Sequence, residues 1–134
     1  MYHQHRGFTL LELIAVIVLI GILSVTLMSR VDSVNTASVQ AGRDSLVAAL
    51  FFAQQAAMAR GTDIQLATAG SQISVTEAGN PLVGYPLTLN GVTLTASNFS
   101  YDRLGRTTGA DITLTNNAGV SATVTVEDSG YAHY

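Results

Sequence analysis

The chain has 134 residues, with six arginines, no lysine, nine acidic residues and a formal net charge of −3. This length suits one small domain plus an appended segment, and the acidic balance argues against a general nucleic-acid binder, which needs a dense basic surface. The absence of cysteine excludes a disulfide framework, a thiolate nucleophile and a cysteine metal site.

The first element along the chain is an apolar run with a single charge inside it. Between Arg6 and Arg30 the only charged residue is Glu12, and residues 8–29 form a run of 22 residues. At about 1.5 Å per residue, a helix of that length crosses a hydrocarbon core about 30 Å thick. The short basic segment before it favours a cytoplasmic N-terminus. The pattern therefore predicts a transmembrane helix over residues 8–30.

Glu12 is the residue that an ordinary signal peptide or plain membrane anchor leaves unexplained. An acid inside such a segment costs about 2.5–3.5 kcal/mol on insertion scales, so it usually has a partner. If the chain is cut between Gly7 and Phe8, the new α-amine of Phe8 lies one helical turn from Glu12. The carboxylate can also pair with the amine of a neighbouring subunit, which would set the register between helices.

The residues around this point, GFTLLELI at positions 7–14, closely resemble the class III signal of type IV pilins and of type II secretion pseudopilins. The resemblance implies that residues 1–7 are a leader removed by a prepilin peptidase, followed by N-methylation of Phe8. It also implies that Glu12 pairs with a neighbour's N-terminus during filament assembly. One departure concerns Ser29, which stands where many major pilins have a helix-loosening proline; Gly21 offers local looseness instead.

The helix is expected to continue past the apolar run and to end at a glycine. Residues 31–60 contain no proline and only one glycine. An apolar stripe with helical spacing runs along this part and consists of Leu46, Ala49, Leu50, Ala53 and Ala57. Gly61 is the expected C-terminal stop. We therefore predict one long helix with an amphipathic second half over residues 31–60.

After Gly61 the apolar period changes to two, which is typical of strands. Alternating segments occur at residues 63–68, 72–76, 98–102, 111–115 and 120–126, with a loop at 77–86. Residues 87–95, centred on Asn90–Gly91, have the pattern of a β-hairpin. A small sheet needs a cover, and the amphipathic half of the helix supplies one. The predicted fold is α+β: a long N-terminal helix packed on a small antiparallel β domain at residues 61–134.

The segment YDRLGRTTG at 101–109 is the most suggestive feature of the β domain. It has the residues of a polar turn, and Arg103 and Arg106 are candidates for a subunit interface because arginine is favoured at interfaces. The segment also resembles one in the GspH/FimT-like subgroup of minor pilins and pseudopilins. Some of those proteins take part in DNA uptake through C-terminal arginines, whereas residues 126–134 here contain two acids and no arginine.

The remaining sequence predicts no chemistry. His3 and His5 lie in the predicted leader, His133 lies in a predicted solvated tail, and no nucleophile is paired with a base. We expect no enzymatic activity, no cofactor and no metal site. The expected partners are other pilins, a prepilin peptidase, the pilus assembly platform and inner-membrane lipid, without nucleic acid.

The resemblance predicts a minor type IV pilin that enters or primes a filament, with an MSHA-type pilus as the specific candidate system. It would wait in the inner membrane as a single-pass protein with its β domain in the periplasm, and then move to the cell surface. Two alternatives remain open. One is a GspH-like pseudopilin of type II secretion, and the other is a DNA-uptake or adhesive module at a pilus tip.

Overall fold

The computed structural model describes residues 9–134, and for residues 27–34 it describes the backbone only. Contacts divide the chain into two units, the first ending at Val34 and the second spanning Asn35–Tyr134. The leader, Gly7 and Phe8 lie outside the described residues, so their predicted roles stay predictions.

A single helix, α1, extends over Leu10–Arg60, as the sequence predicts. It continues through Gly21 and through position 29 without interruption, so neither position ends the helix. Gly61 closes it: its N–H donates to the carbonyl of Ala57 at 2.9 Å, and its φ of +65° is the left-handed conformation that glycine adopts without steric penalty.

The second unit is built on one antiparallel sheet of eight strands. The strands are β1 (Ile64–Gly70), β2 (Gln72–Glu77), β3 (Asn80–Pro81), β4 (Leu87–Thr88), β5 (Val92–Tyr101), β6 (Ala110–Asn116), β7 (Ser121–Val126) and β8 (Ala132–His133). Their order across the sheet is β3-β2-β1-β5-β6-β7-β8, and β4 also pairs with β2. The combination of a long helix with this sheet confirms the predicted α+β pilin-like fold.

Three details of the strand prediction are wrong. The predicted hairpin at 87–95 does not form, because Leu87 pairs with Ile73 of β2 rather than with β5. The N–H of Leu89 likewise donates to the carbonyl of Ser71 at 2.7 Å. The segments at 92–95 and 98–102 are parts of one strand, β5, which pairs with β6 and β1 and shifts register against β1 between Thr68 and Gly70. The predicted loop at 77–86 also contains the two-residue strand β3.

The core lies between one face of this sheet and the part of α1 that belongs to the second unit. All five residues of the predicted helical stripe are buried, and they join strand residues such as Ile64, Phe99 and Ile112 in one cluster. Close approach is possible because the helix presents small residues. A Cβ added at Gly42 would lie 3.5 Å from the side chains of Val92 and Leu114. The amphipathic pattern thus becomes the cover that the sheet needs.

Because the stripe lies in the core, truncating two adjacent helix residues should lower the free energy of unfolding by different amounts. Leu50 is fully buried, whereas Phe51 is 57% exposed. Leu50→Ala should lower the free energy of unfolding by about 2–5 kcal/mol, because it removes buried contacts and leaves a cavity. Phe51→Ala, the matched control, should change it by less than about 1 kcal/mol. Thermal unfolding of the full chain in detergent measures both, and equal costs would contradict this packing.

Candidate functional site

The N-terminal part of α1 presents apolar side chains on every side. Residues from Leu10 to Val25 include twelve large apolar side chains that are 46–81% exposed. A helix that is apolar all round needs burial in lipid or among other helices. Two hydroxyls in this part are satisfied within the helix, because Ser24 donates to the carbonyl of Ile20 at 2.8 Å and Thr26 to that of Leu23 at 2.9 Å. They therefore add little cost in an apolar environment.

No helix in the described part of the chain is long and apolar enough to cross a membrane. The transmembrane span predicted for residues 8–30 is not confirmed, and inner-membrane insertion stays a prediction.

Glu12 lies in the first turn of α1. Its N–H is within reach of Thr9, at 3.1 Å from the carbonyl oxygen and 3.3 Å from Oγ1. Thr9 and Glu12 have the spacing of a capping box, in which the threonine caps the helix and the glutamate occupies the third helical position. Glu12 itself is exposed. The acid therefore complements the positive end of the helix dipole, while its carboxylate stays accessible to a partner outside this chain.

The second candidate, the loop at 102–109, is held in place by Asp102. Its Oδ1 accepts from the N–H groups of Leu104 at 2.8 Å and Arg106 at 2.9 Å, and its Oδ2 lies 3.2 Å from the Arg106 guanidinium. The backbone hydrogen bond from Arg106 is the main reason that the pKa of Asp102 is lowered, with a further contribution from Leu104. The charged form of Asp102 thus favours the folded loop.

The two candidate arginines have different environments. Arg106 is 62% exposed at its side chain and pairs with Asp102. Arg103 is exposed, and in the described part of the chain it has no ion pair. Both line one surface depression, together with Gly61, Thr62, Asp63, Asp102 and Leu104. Because two acids accompany the two arginines, this depression is not the basic surface that nucleic-acid binding requires.

Gln54 connects this loop to the helix and to the turn before β8, a role that the sequence analysis missed. Its side-chain amide donates to the carbonyl of Gly105 at 3.0 Å and to that of Ser129 at 3.2 Å. Asp128 adds a further link, because its Oδ1 accepts from the N–H of Gly109 at 2.7 Å. These hydrogen bonds therefore link the loop at 102–109, the turn before β8 and α1 to one another. No local sequence signal identifies Gln54, since its partners are 51 and 75 residues away.

The C-terminal residues are more ordered than the predicted solvated tail. Ala132 and His133 form β8, and His133 pairs with Thr125 of β7. The His133 ring stacks on Tyr131, with the centroids 5.8 Å apart, and the guanidinium of Arg43 lies 3.8 Å from the ring centroid of Tyr134. The tail prediction was wrong in this respect, because strand pairing and ring contacts hold the segment against the domain.

Nothing in the described residues indicates catalysis or metal binding. They contain no group of three or more His, Cys, Asp or Glu residues that could hold a metal ion. The hydroxyl of Tyr101 is buried, and burial raises its pKa to about 12. A phenol of that kind stays neutral at physiological pH and does not act as a base.

Comparisons with known proteins concern the N-terminal motif and the fold. Residues 2–28 match the family model described as the prokaryotic N-terminal methylation motif. The fold is similar to that of the type IV minor pilin FimU of Pseudomonas aeruginosa strain PAO1. One crystal form gives a TM-score of 0.59 at 15% identity over 73% of this chain and 88% of FimU. A second gives 0.56 at 16% over 70% and 90%. No curated protein matches the sequence.

The N-terminus thus matches the prokaryotic N-terminal methylation motif, and the fold is like that of a type IV minor pilin. Both findings agree with the resemblance to type IV pilins that the sequence shows. The GspH/FimT-like subgroup and the MSHA-type system are finer assignments that stay predictions.

Because the loop at 102–109 is linked to the turn before β8, we expect two glycine substitutions to lower the free energy of unfolding by different amounts. Gly130 and Gly119 have nearly equal φ angles of +83° and +81°. A Cβ at Gly130 would clash with the carbonyl oxygen of Gly105, whereas one at Gly119 meets nothing within 4 Å. Both alanine variants incur about 1–2 kcal/mol of backbone strain. Gly130→Ala should lose at least about 2 kcal/mol more, because backbone has to move.

Thermal unfolding of the two full-length variants measures this difference. Equal midpoints would show that the turn at Gly130 is not packed against the loop in solution.

Proposed function

We propose that this protein is a minor type IV pilin, a non-enzymatic structural subunit that enters a pilus filament or primes its assembly. The observation that carries the proposal is the methylation motif at residues 2–28, which includes the apolar first part of α1, in a chain with a pilin-like fold. The motif supplies the processing signal, the helix supplies a surface that has to be buried, and the domain remains to face solvent. The similarity to a minor pilin favours the minor over the major role.

The proposed sequence of events begins in the inner membrane, with the β domain in the periplasm. The prepilin peptidase cuts between Gly7 and Phe8, and the new α-amine of Phe8 is methylated. The helix then moves laterally into a bundle of other pilin helices at the assembly platform. Lipid already keeps the apolar side chains from Leu10 to Val25 out of water, so the hydrophobic effect does not drive this step. The same side chains, which are exposed in the single chain, supply the surface for van der Waals packing between helices.

Glu12 sets the axial position of the incoming subunit in this proposal. A carboxylate among apolar helices is costly unless it is paired, so the subunit is favoured only where Glu12 meets the N-terminal amine of a neighbour. Its exposure in the single chain and its place in the first turn leave it available for that contact. The charge pair thus specifies register, while the apolar surface supplies affinity.

Deletion of the gene distinguishes this function from that of a type II secretion pseudopilin. A minor pilin predicts that the deletion strain makes fewer surface filaments and still exports type II substrates. Lost export with normal filaments would assign the protein to the secretion system instead. Complementation with the wild-type gene serves as the control in both assays.

The proposed cleavage site predicts that Gly7→Asp blocks maturation. A peptidase that recognises a small residue before the cut should not accept the larger, charged side chain. The variant should accumulate with its N-terminus unprocessed and should be absent from filaments. The mature N-terminus in the membrane fraction measures this, and Thr9→Ser is a conservative control on the other side of the site. Normal cleavage of Gly7→Asp would refute the site.

The register role predicts that Glu12→Gln and Glu12→Val are processed normally but assemble poorly. Glutamine keeps the size and loses the charge, and valine removes the polar group altogether. Loss of one buried charge pair should reduce incorporation by at least about tenfold, because a neighbour's amine is left without a partner. The amount in sheared filaments, relative to the processed pool in the membrane, is the readout. Wild-type incorporation of both variants would exclude the register role.

A further inference from the structure

One margin of the sheet has main-chain groups without a partner strand. β7 pairs with β6 along its whole length from Ser121 to Val126. On its other side β8 pairs only with Thr125 and Val126. Residues 121–124, on the side away from β6, therefore have no neighbouring strand in the part of the chain that the structure describes. We call this four-residue stretch the open edge.

The hydrogen bonds at the two ends of β7 show which main-chain groups point outward. The carbonyl of Val120 accepts from the N–H of Asn116 at 3.0 Å, so Val120 faces β6. Beyond the other end, the N–H of Glu127 donates to the carbonyl of Tyr131 at 2.9 Å, so Glu127 faces outward. Directions alternate along an antiparallel strand. Ser121 and Thr123 therefore each direct an N–H and a carbonyl away from β6 at the open edge.

The opposite margin of the sheet has the usual protection. Both prolines of the chain lie there, Pro81 in β3 and Pro86 directly before β4. Proline blocks strand addition because it lacks an N–H donor, and charged side chains act in the same way. The open edge, Ser-Ala-Thr-Val, contains neither a proline nor a charge. The two margins thus differ in the feature that controls pairing with another chain.

The side chains of the open edge alternate between the buried face and the exposed face of the sheet. Val124 is fully buried and Ala122 packs against the core from a half-buried position. Ser121 and Thr123 are exposed on the other face. A strand added here would therefore place small apolar side chains beside Ala122 and Val124. It would place hydroxyl or β-branched side chains beside Ser121 and Thr123.

We propose that the open edge of β7 binds an extended segment of a neighbouring pilin subunit by strand addition. The chemistry selects this occupant, because an extended backbone has donors and acceptors at the spacing of about 7 Å that separates Ser121 from Thr123. The inference rests on the proposed function, in which a minor subunit has other pilins rather than copies of itself as neighbours. It adds a main-chain contact between β domains to the helix contacts described above.

Thr123→Pro tests the proposal, with Thr123→Val as the matched control. Because the N–H of Thr123 points away from β6, proline removes an outward donor without removing a bond of the β6–β7 ladder. Valine changes the same side chain and keeps the N–H. Both variants should unfold within about 5 °C of the wild type, which shows that the domain is intact. Incorporation of Thr123→Pro into filaments should fall about tenfold, because one hydrogen bond is lost and its acceptor is left unpaired. Thr123→Val should incorporate normally.

A photo-crosslinking amino acid at position 123 identifies the occupant. The control position is 113, which is paired with Thr123 on β6 and lies one strand further in. We expect an adduct from position 123 whose linked peptide belongs to another pilin, and none of this kind from position 113.

Two results would overturn the inference: equal incorporation of the proline and valine variants, or an adduct joining two copies of this chain. Either can occur while the wild-type protein is still found in filaments, so the proposed function would stand. Absence of the wild-type protein from filaments would instead overturn the proposed function and this inference together.

Discussion

The structure depends on one constraint, the need to bury the apolar surface of the first part of α1. Its large side chains from Leu10 to Val25 are exposed on all sides in the single chain, and water is an unfavourable solvent for so much contiguous apolar surface. Lipid and a bundle of similar helices both satisfy the constraint. Under the proposed function, only the bundle would also give Glu12 a partner, and this difference would favour the filament over the membrane.

The second unit is a small domain whose core is completed by the C-terminal part of α1. Within it, residues 35–60 of α1 complete the core of the sheet through small and medium side chains such as Ala49, Leu50 and Ala53. Gln54 and Asp128 then fasten the loop at 102–109 and the turn before β8. The sheet keeps one unprotected margin at β7.

Much of this architecture could be predicted because it depends on local patterns. The helical stripe and the stop at Gly61 follow from periodicity and from glycine conformation, and both are found. The pairing of β4 could not be predicted in this way. Asn90–Gly91 favours a local hairpin, but Leu87 pairs with Ile73 of β2, a choice set by sheet contacts distant in sequence. Gln54 was missed for the same reason. The family motif around Glu12 was evident from the sequence alone, whereas the open edge needed the strand order.

Mass spectrometry of sheared, purified surface filaments is the most direct test of the central claim, because it reads both the presence of the protein and its mature N-terminus. We expect a low-abundance subunit that begins with N-methylated Phe8. A processed chain that is found only in the cell envelope would contradict the filament role. A chain in filaments that still carries residues 1–7 would contradict the explanation given for Glu12.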